Sequence, residues 1–97
     1  MSFKVPFDRV LFNIRRLDIV GTLDGEGYIP FVDLAEVLKM TAGNLGSHLK
    51  VLEAHDLVNI HKSFKGKKPH TEIELSAKGQ DEFKKLKQWF YQAFLEE

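Results

Sequence analysis

The residues of this 97-residue sequence best suited to bind a metal or move a proton are its four histidines, His48, His55, His61 and His70. Their spacing does not assemble a site. His48 and His55 lie seven apart, about two turns if helical, too far to share one small ion directly, and no two histidines stand four apart. Because the chain has no cysteine, thiolate zinc sites, disulfides and thiol-based sensing are excluded. Asp24 and Glu26 have no evident basic or nucleophilic partner, and neither a Ser/His/Asp arrangement nor a phosphate-cradling glycine loop stands out. The expectation is a protein that binds rather than catalyses, with no cofactor and no metal.

The remaining chemistry lies in cations. Net charge is zero, but residues 1 to 40 carry 5 basic and 6 acidic side chains, residues 41 to 71 carry 5 and 2, and residues 72 to 97 carry 4 and 6. The three segments therefore stand at −1, +3 and −2. The middle segment, with Lys50, Lys65, Lys67, Lys68 and all four histidines, is the one that suits a polyanion, since phosphate neutralisation drives sequence-independent nucleic-acid binding. A composition of 43% apolar and 29% charged residues fits a soluble globular protein, and the length gives room for one domain, 1–97. Met1 to Arg9 lack the apolar run of a signal peptide, and no stretch approaches 18 uncharged apolar residues. A cytoplasmic protein without a membrane partner is expected.

Periodicity supplies the elements that must position these residues. Phe3, Phe7, Leu11 and Ile14, continued by Leu17, Val20 and Leu23, read as a helix begun near Asp8 that can break at Asn13. Asp24-Gly25-Glu26-Gly27 ends it as a turn, because two glycines permit positive φ. Tyr28 and Ile29 form a very short strand before Pro30. Phe31 to Leu38 is a two-turn helix offering Val32, Leu34, Ala35 and Leu38 for packing. Thr41 then caps a third helix, running to about His55, whose Leu45, Leu49 and Leu52 form the buried stripe. From Val58 the period changes to two: Val58, Ile60 and Phe64, then Thr71, Ile73 and Leu75, form a hairpin across Lys65-Gly66-Lys67-Lys68-Pro69. Ser76 caps a last helix, with Asp81 and Glu82 near its positive end.

Helix, short strand, helix, tight turn, helix, hairpin, helix is an α+β order. Over about 31–55 the residues meet the requirements of a helix-turn-helix: a small residue where the helices cross, Ala35, with Leu34, Leu38, Met40 and Leu45 around it. Lys39 occupies a place where glycine is common, which predicts a longer, gentler turn. The strings TAGNLGSHLKVLEAHDLV and SFKGKKPHTEIELSAKGQDEF resemble the small winged helix-turn-helix transcriptional regulators related to the MarR and ArsR groups of archaea and bacteria. The resemblance spans roughly Ile14 to Phe83. It departs from the family at Gly46, where a longer polar residue is usual, and glycine there costs the helix about 1 kcal/mol against alanine.

The resemblance implies what the residues suggest: double-stranded DNA as partner, the third helix in the major groove, and the wing, about 58–75, on the backbone or in the adjacent minor groove. With the leucine stripe turned inward, Gly43, Asn44, Ser47 and Lys50 face out. Asn44 and Ser47 have the donors and acceptors to read base edges, and Thr41 with the free amides of the first turn suits a phosphate. Lys65, Lys67 and Lys68 meet the backbone, and His48 is expected to bridge its helix to a phosphate or a backbone carbonyl. In the terminal helix, about 76–96, Phe83, Leu86, Phe90 and Ala93 fall at spacings of three, four and three, and Trp89 and Phe94 widen the stripe. That band either folds back on Phe3, Phe7 and Leu11 or packs on a second copy, giving a homodimer that reads a palindromic site. Two other functions fit the same fold: a protein–protein module without DNA binding, and a ligand-responsive sensor whose effector the sequence does not reveal.

Overall fold

Two side-chain caps within six residues shape the start of the chain. In the computed structural model, which describes residues 4–95, the Asp8 carboxylate accepts from the Val10 amide and caps a 3-10 turn, Arg9–Leu11. Asn13 accepts from the Arg16 amide at 3.1 Å and starts α1, Ile14–Leu23. The helix expected from Asp8 is therefore interrupted, because short polar side chains compete for backbone amides and restart the helix. The phase shift turns Ile14 outward, 73% exposed, against the stripe predicted for it. Phe3 lies outside the described residues.

Gly25 (φ 79°) and Gly27 (φ 70°) make the reversal after α1, leading to β1, Ile29–Pro30, and α2, Phe31–Leu38. Leu34 is buried, but Val32 is 69% exposed and does not take the packing role the sequence offered it. The end of α2 also corrects an expectation. Lys39 adopts φ 53°, ψ 43°, its amide donates to the Glu36 carbonyl at 3.2 Å, and the Met40 amide donates to the Ala35 carbonyl at 3.0 Å. This is a tight Schellman closure rather than a gentler turn, and a non-glycine residue holds it at a cost of about 1 kcal/mol. The next helix, α3, Ala42–Ala54, ends the same way, with Asp56 at φ 59° and the Leu57 amide on the Leu52 carbonyl at 2.9 Å. In both closures the residue after the left-handed one, Met40 or Leu57, is apolar and buried, which anchors the turn without glycine.

The sheet is antiparallel, in the order β1-β3-β2, with β2 Val58–Lys65 and β3 Lys68–Leu75. Val58 opposes Leu75 and Ile60 opposes Ile73 on the face that meets the core. The connection is Gly66-Lys67 alone, with Gly66 at φ 66°, so the expected five-residue tip is a two-residue turn and Pro69 belongs to β3. A positive φ at the first central residue only is the pattern of a II′ turn, which matches strand twist.

Ser76 then caps α4, Ala77–Phe90: its hydroxyl accepts from the Gly79 amide at 2.9 Å and donates to the Asp56 carbonyl at 2.6 Å. Gly79 is needed there, since a Cβ would strike the Leu57 carbonyl oxygen and come within 2.8 Å of Leu75 Cδ1. A π-helical turn, Tyr91–Leu95, extends α4; residue 96, where the helix was expected to end, lies outside the described residues. Leu11, Ile19, Leu34, Leu45, Leu52, Leu57 and Ile73 form the centre of the core. Among the described residues no helix is long and apolar enough to cross a membrane.

Candidate nucleic-acid interface

The turn that ends α2 sets the start of α3. Thr41 accepts from the Asn44 amide at 3.1 Å through its hydroxyl and from the Leu45 amide at 3.0 Å through its carbonyl, leaving the amides of the first turn directed outward. Leu45, Leu49 and Leu52 are buried, as the stripe requires. Thr41, Gly43, Asn44, Ser47 and Lys50 are all exposed, so the residues predicted to face a partner share the open side of α3. Gly46 is half-buried beside them, and a Cβ there would meet nothing within 4 Å.

Gly46, Lys50 and Leu49 form one wall of a cleft of about 280 Å³ between α3 and the sheet. Ile60, Lys62 and Thr71 form the other, and Phe31 and Glu53 complete it. Farther out, Lys65 and Lys68 stand directly opposite each other across the hairpin, with Lys67 in the turn. Like charges paired this way repel, and the arrangement is stabilised when an anion lies against them. Among the described residues none of Lys50, Lys62, Lys65, Lys67 and Lys68 enters an ion pair. The lysines of α4 differ: Lys85 contacts Asp81 and Glu82, which hold its ammonium pKa above the usual lysine value, and Lys87 contacts Asp24.

The opposite face of the sheet has acidic character at its base. Glu74 accepts from the Asn59 amide group at 3.1 Å, and Glu72 lies 3.3 Å from His70 Nε2 without hydrogen-bond geometry. Loss of solvent, together with the carboxylates of Glu74 and Glu72, raises the Tyr28 phenol above its ordinary pKa, and Tyr28 meets His61 edge-on at 6.1 Å. Lys65 and Lys68 continue this second face outward beyond Glu72, while Lys62 shares the cleft face with Lys50, so the outer hairpin carries cations on both faces and the carboxylates lie toward its base.

His48 meets Arg16 Nη1 at 3.3 Å rather than a backbone carbonyl, and Arg16 Nε donates to the Val10 carbonyl at 2.6 Å. His55 Nδ1 lies 2.9 Å from the Asp8 carboxylate, and the Asp8 amide donates to Glu82. These contacts tie the middle of α3 to α1 and its C-terminal end to the N-terminal segment, which fixes the orientation of the exposed side. Two residues of this candidate surface were not singled out from the sequence as contacts, Lys62 in the cleft and the exposed Phe64 beyond it. Their register beyond Ile60 on the core face was the available signal, and it becomes readable only once the turn is known to be two residues long.

The six aromatic and aliphatic residues singled out on the terminal helix separate into two groups. Leu86 is buried in the core of its own chain, Phe83 is half-buried beneath the Lys87 ammonium at 4.7 Å, and Trp89 packs edge-on against Phe7 at 5.6 Å and Phe12 at 6.0 Å. Phe90, Ala93 and Phe94 are exposed, the two phenyl rings 5.0 Å apart, with Phe12, Tyr91 and Leu95 also open to solvent.

A family model described as a winged helix DNA-binding domain matches residues 15–94. An uncharacterised protein of Methanocaldococcus jannaschii is 36% identical over 76 residues, covering 78% of this chain and 83% of that protein. The solved structure of a transcriptional regulator homologue from Pyrococcus horikoshii superposes with a TM-score of 0.77 at 33% identity, covering 91% of each chain. Reduced HlyU from Vibrio cholerae has the same fold, with a TM-score of 0.66 at 20% identity over 91% of this chain and 84% of its own.

Proposed function

The chain belongs to the winged helix DNA-binding domain family, and from that premise we propose that it is a cytoplasmic transcriptional repressor, allied to the MarR and ArsR groups, that binds a palindromic DNA site as a homodimer. The observation that carries this reading is the set of five lysines without ion-pair partners among the described residues: Lys50 and Lys62 line the cleft beside the open polar side of α3, and Lys65, Lys67 and Lys68 stand at the hairpin tip beyond it. In this reading α3 enters the major groove. Asn44 and Ser47 meet base edges, Thr41 and the first-turn amides meet one phosphate, and Lys50 and Lys62 flank another in the cleft. The wing lysines follow the backbone beyond it.

The homodimer reading rests on Phe90, Ala93 and Phe94, which with Phe12, Tyr91 and Leu95 form an apolar surface that this chain does not cover. Two copies joined there cover two half-sites, and such a dimer blocks a promoter by occupying it, which is why repression is the proposed output. Selection of duplexes from a random pool tests the reading directly. A palindrome with half-sites about one helical turn apart is expected. Asn44→Ala or Ser47→Ala should weaken binding to the selected site by about 1–3 kcal/mol while leaving random duplex nearly unaffected. Absence of binding to any duplex at low salt would leave a protein–protein module as the function of the fold.

A further inference from the structure

The hairpin places an aromatic ring where the fold has no use for it. Phe64 is 73% exposed and four residues beyond Ile60, about 13 Å farther along β2 than the last core pair. Opposed residues share a face of a sheet, so Val58–Leu75, Ile60–Ile73, Lys62–Thr71 and Phe64–Pro69 line one side. The first two pairs are in the core, the third forms a wall of the cleft against α3, and the fourth stands free beyond it. Phe64 therefore lies on the recognition-helix side of the wing, one pair outside the cleft. Lys65 and Lys68 lie on the other face.

Pro69 stiffens this ridge. In a hairpin with a two-residue turn the pair next to the turn exchanges hydrogen bonds and the following pair does not. That following pair is Phe64–Pro69, so the missing proline amide costs the ladder nothing and the two side chains stand close together. The tip thus carries a rigid apolar ridge on one face and Lys65 and Lys68 on the other, with Lys62 behind and Lys67 at the end. A partner with an apolar interior bounded by anionic walls complements this surface. The minor groove of duplex DNA, about 6 Å wide, edged by phosphates and lined by sugars and stacked bases, has that character.

We propose that Phe64, backed by Pro69, is an apolar wedge that enters the minor groove beside the site read by α3 and partly opens one base step. The protein then bends its DNA and favours a flexible pyrimidine–purine step, TA or CA/TG, at that position. This inference rests on the DNA-binding reading and adds a residue that selects sequence through deformability. The lysines supply attraction without sequence preference; the wedge discriminates.

The test uses the full chain with Phe64→Ala and Phe64→Leu, both expected to keep the parent melting temperature because the ring is exposed. Duplexes carry the selected site with either a TA or a GC step under the wing, a dye pair at their ends, and 2-aminopurine at the step. The parent should shorten the end-to-end distance, raise 2-aminopurine emission and bind the TA duplex about tenfold or more tighter than the GC duplex. Phe64→Ala should abolish all three effects without changing the salt dependence, and Phe64→Leu should retain part of each. If the parent binds its site but leaves the duplex straight, or Phe64→Ala binds like the parent, the wedge is wrong and the DNA-binding reading stands. A loss of self-association in Phe64→Ala would place the ring between copies of the chain and overturn the proposal. Absence of duplex binding by the parent would remove the DNA reading itself and the wedge with it.

Discussion

Replacing Gly46 by alanine should move stability and DNA affinity in opposite directions. Gly46 is the fifth residue of α3, and an added Cβ meets nothing within 4 Å, so the fold accepts the methyl without rearrangement. Alanine in a helix interior is favoured over glycine by about 0.8–1 kcal/mol, largely through the entropy of the unfolded chain. For a domain of this size that corresponds to a rise in melting temperature of about 4–8 °C, measurable by circular dichroism. The same methyl projects beside the cleft that Gly46 lines between α3 and the sheet, where the proposed complex brings the DNA strand between the two grooves close to the helix backbone. An ill-fitting methyl in a packed interface costs about 1–3 kcal/mol, so affinity should fall fivefold or more on preferred and random duplexes alike. Gly21→Ala provides the comparison, since it lies inside α1, where a Cβ would make only an ordinary contact with Phe83 at 3.9 Å, and belongs neither to the cleft nor to the open side of α3. A stabilised Gly46→Ala protein that binds DNA as well as the parent would refute the close approach. A destabilised one would refute the reading of the space around α3.

Alanine at Lys65, Lys67 and Lys68 together should weaken binding to every sequence and reduce the slope of log K against log salt by up to about 2.7, at about 0.9 for each phosphate the wing no longer neutralises; an unchanged slope would place the wing away from DNA. Gly79→Ala should destabilise the fold by about 1–3 kcal/mol or more, read from urea denaturation, because its Cβ collides with the Leu57 carbonyl, a rigid backbone group held by the Ser76 amide at 3.0 Å. Phe90→Glu with Phe94→Glu should yield a folded monomer by sedimentation with much reduced affinity for a palindromic site. Trp89 is unsuited to that experiment because its contacts with Phe7 and Phe12 belong to its own chain, and a monomeric parent at micromolar concentration would exclude the interface.

The sequence revealed those features whose cause is local. The Thr41 and Ser76 caps, the leucine stripe of α3 and the period-two strands each follow from side-chain chemistry within four residues, and each stands where it was expected. Where expectation and structure part, the deciding interaction was distant or lay at a helix end. Lys39 closes a tight turn because Met40 is drawn into the core, and no propensity of lysine predicts that. Ile14 faces solvent because Asp8 and Asn13 each cap a separate helix, shifting the phase of an otherwise continuous apolar stripe. On α4 the aromatic spacing could not separate self-packing from exposure. The N-terminal segment, through Phe7 and Phe12, covers Trp89 but leaves Phe90 and Phe94 open.

Net charge was the least informative number in the sequence, and the structure explains why. A neutral total would predict weak attraction to a polyanion if charges were mixed evenly over the surface. Here the acids Asp81, Glu82 and Asp24 are engaged by Lys85 and Lys87, while Glu72 and Glu74 line the face of the sheet that carries Tyr28 and His61. The five lysines of the cleft and wing are left with no carboxylate partner among the described residues. At a Debye length of about 8 Å in physiological salt, a phosphate at the hairpin tip is governed by Lys65, Lys67 and Lys68 more than by Glu72 and Glu74, which lie farther in along β3, whereas in the cleft Lys50 and Lys62 act beside Glu53. Segregation over distances longer than the screening length lets a neutral chain present a cationic surface, and the interleaving of acids and bases along the sequence gives no measure of that distance.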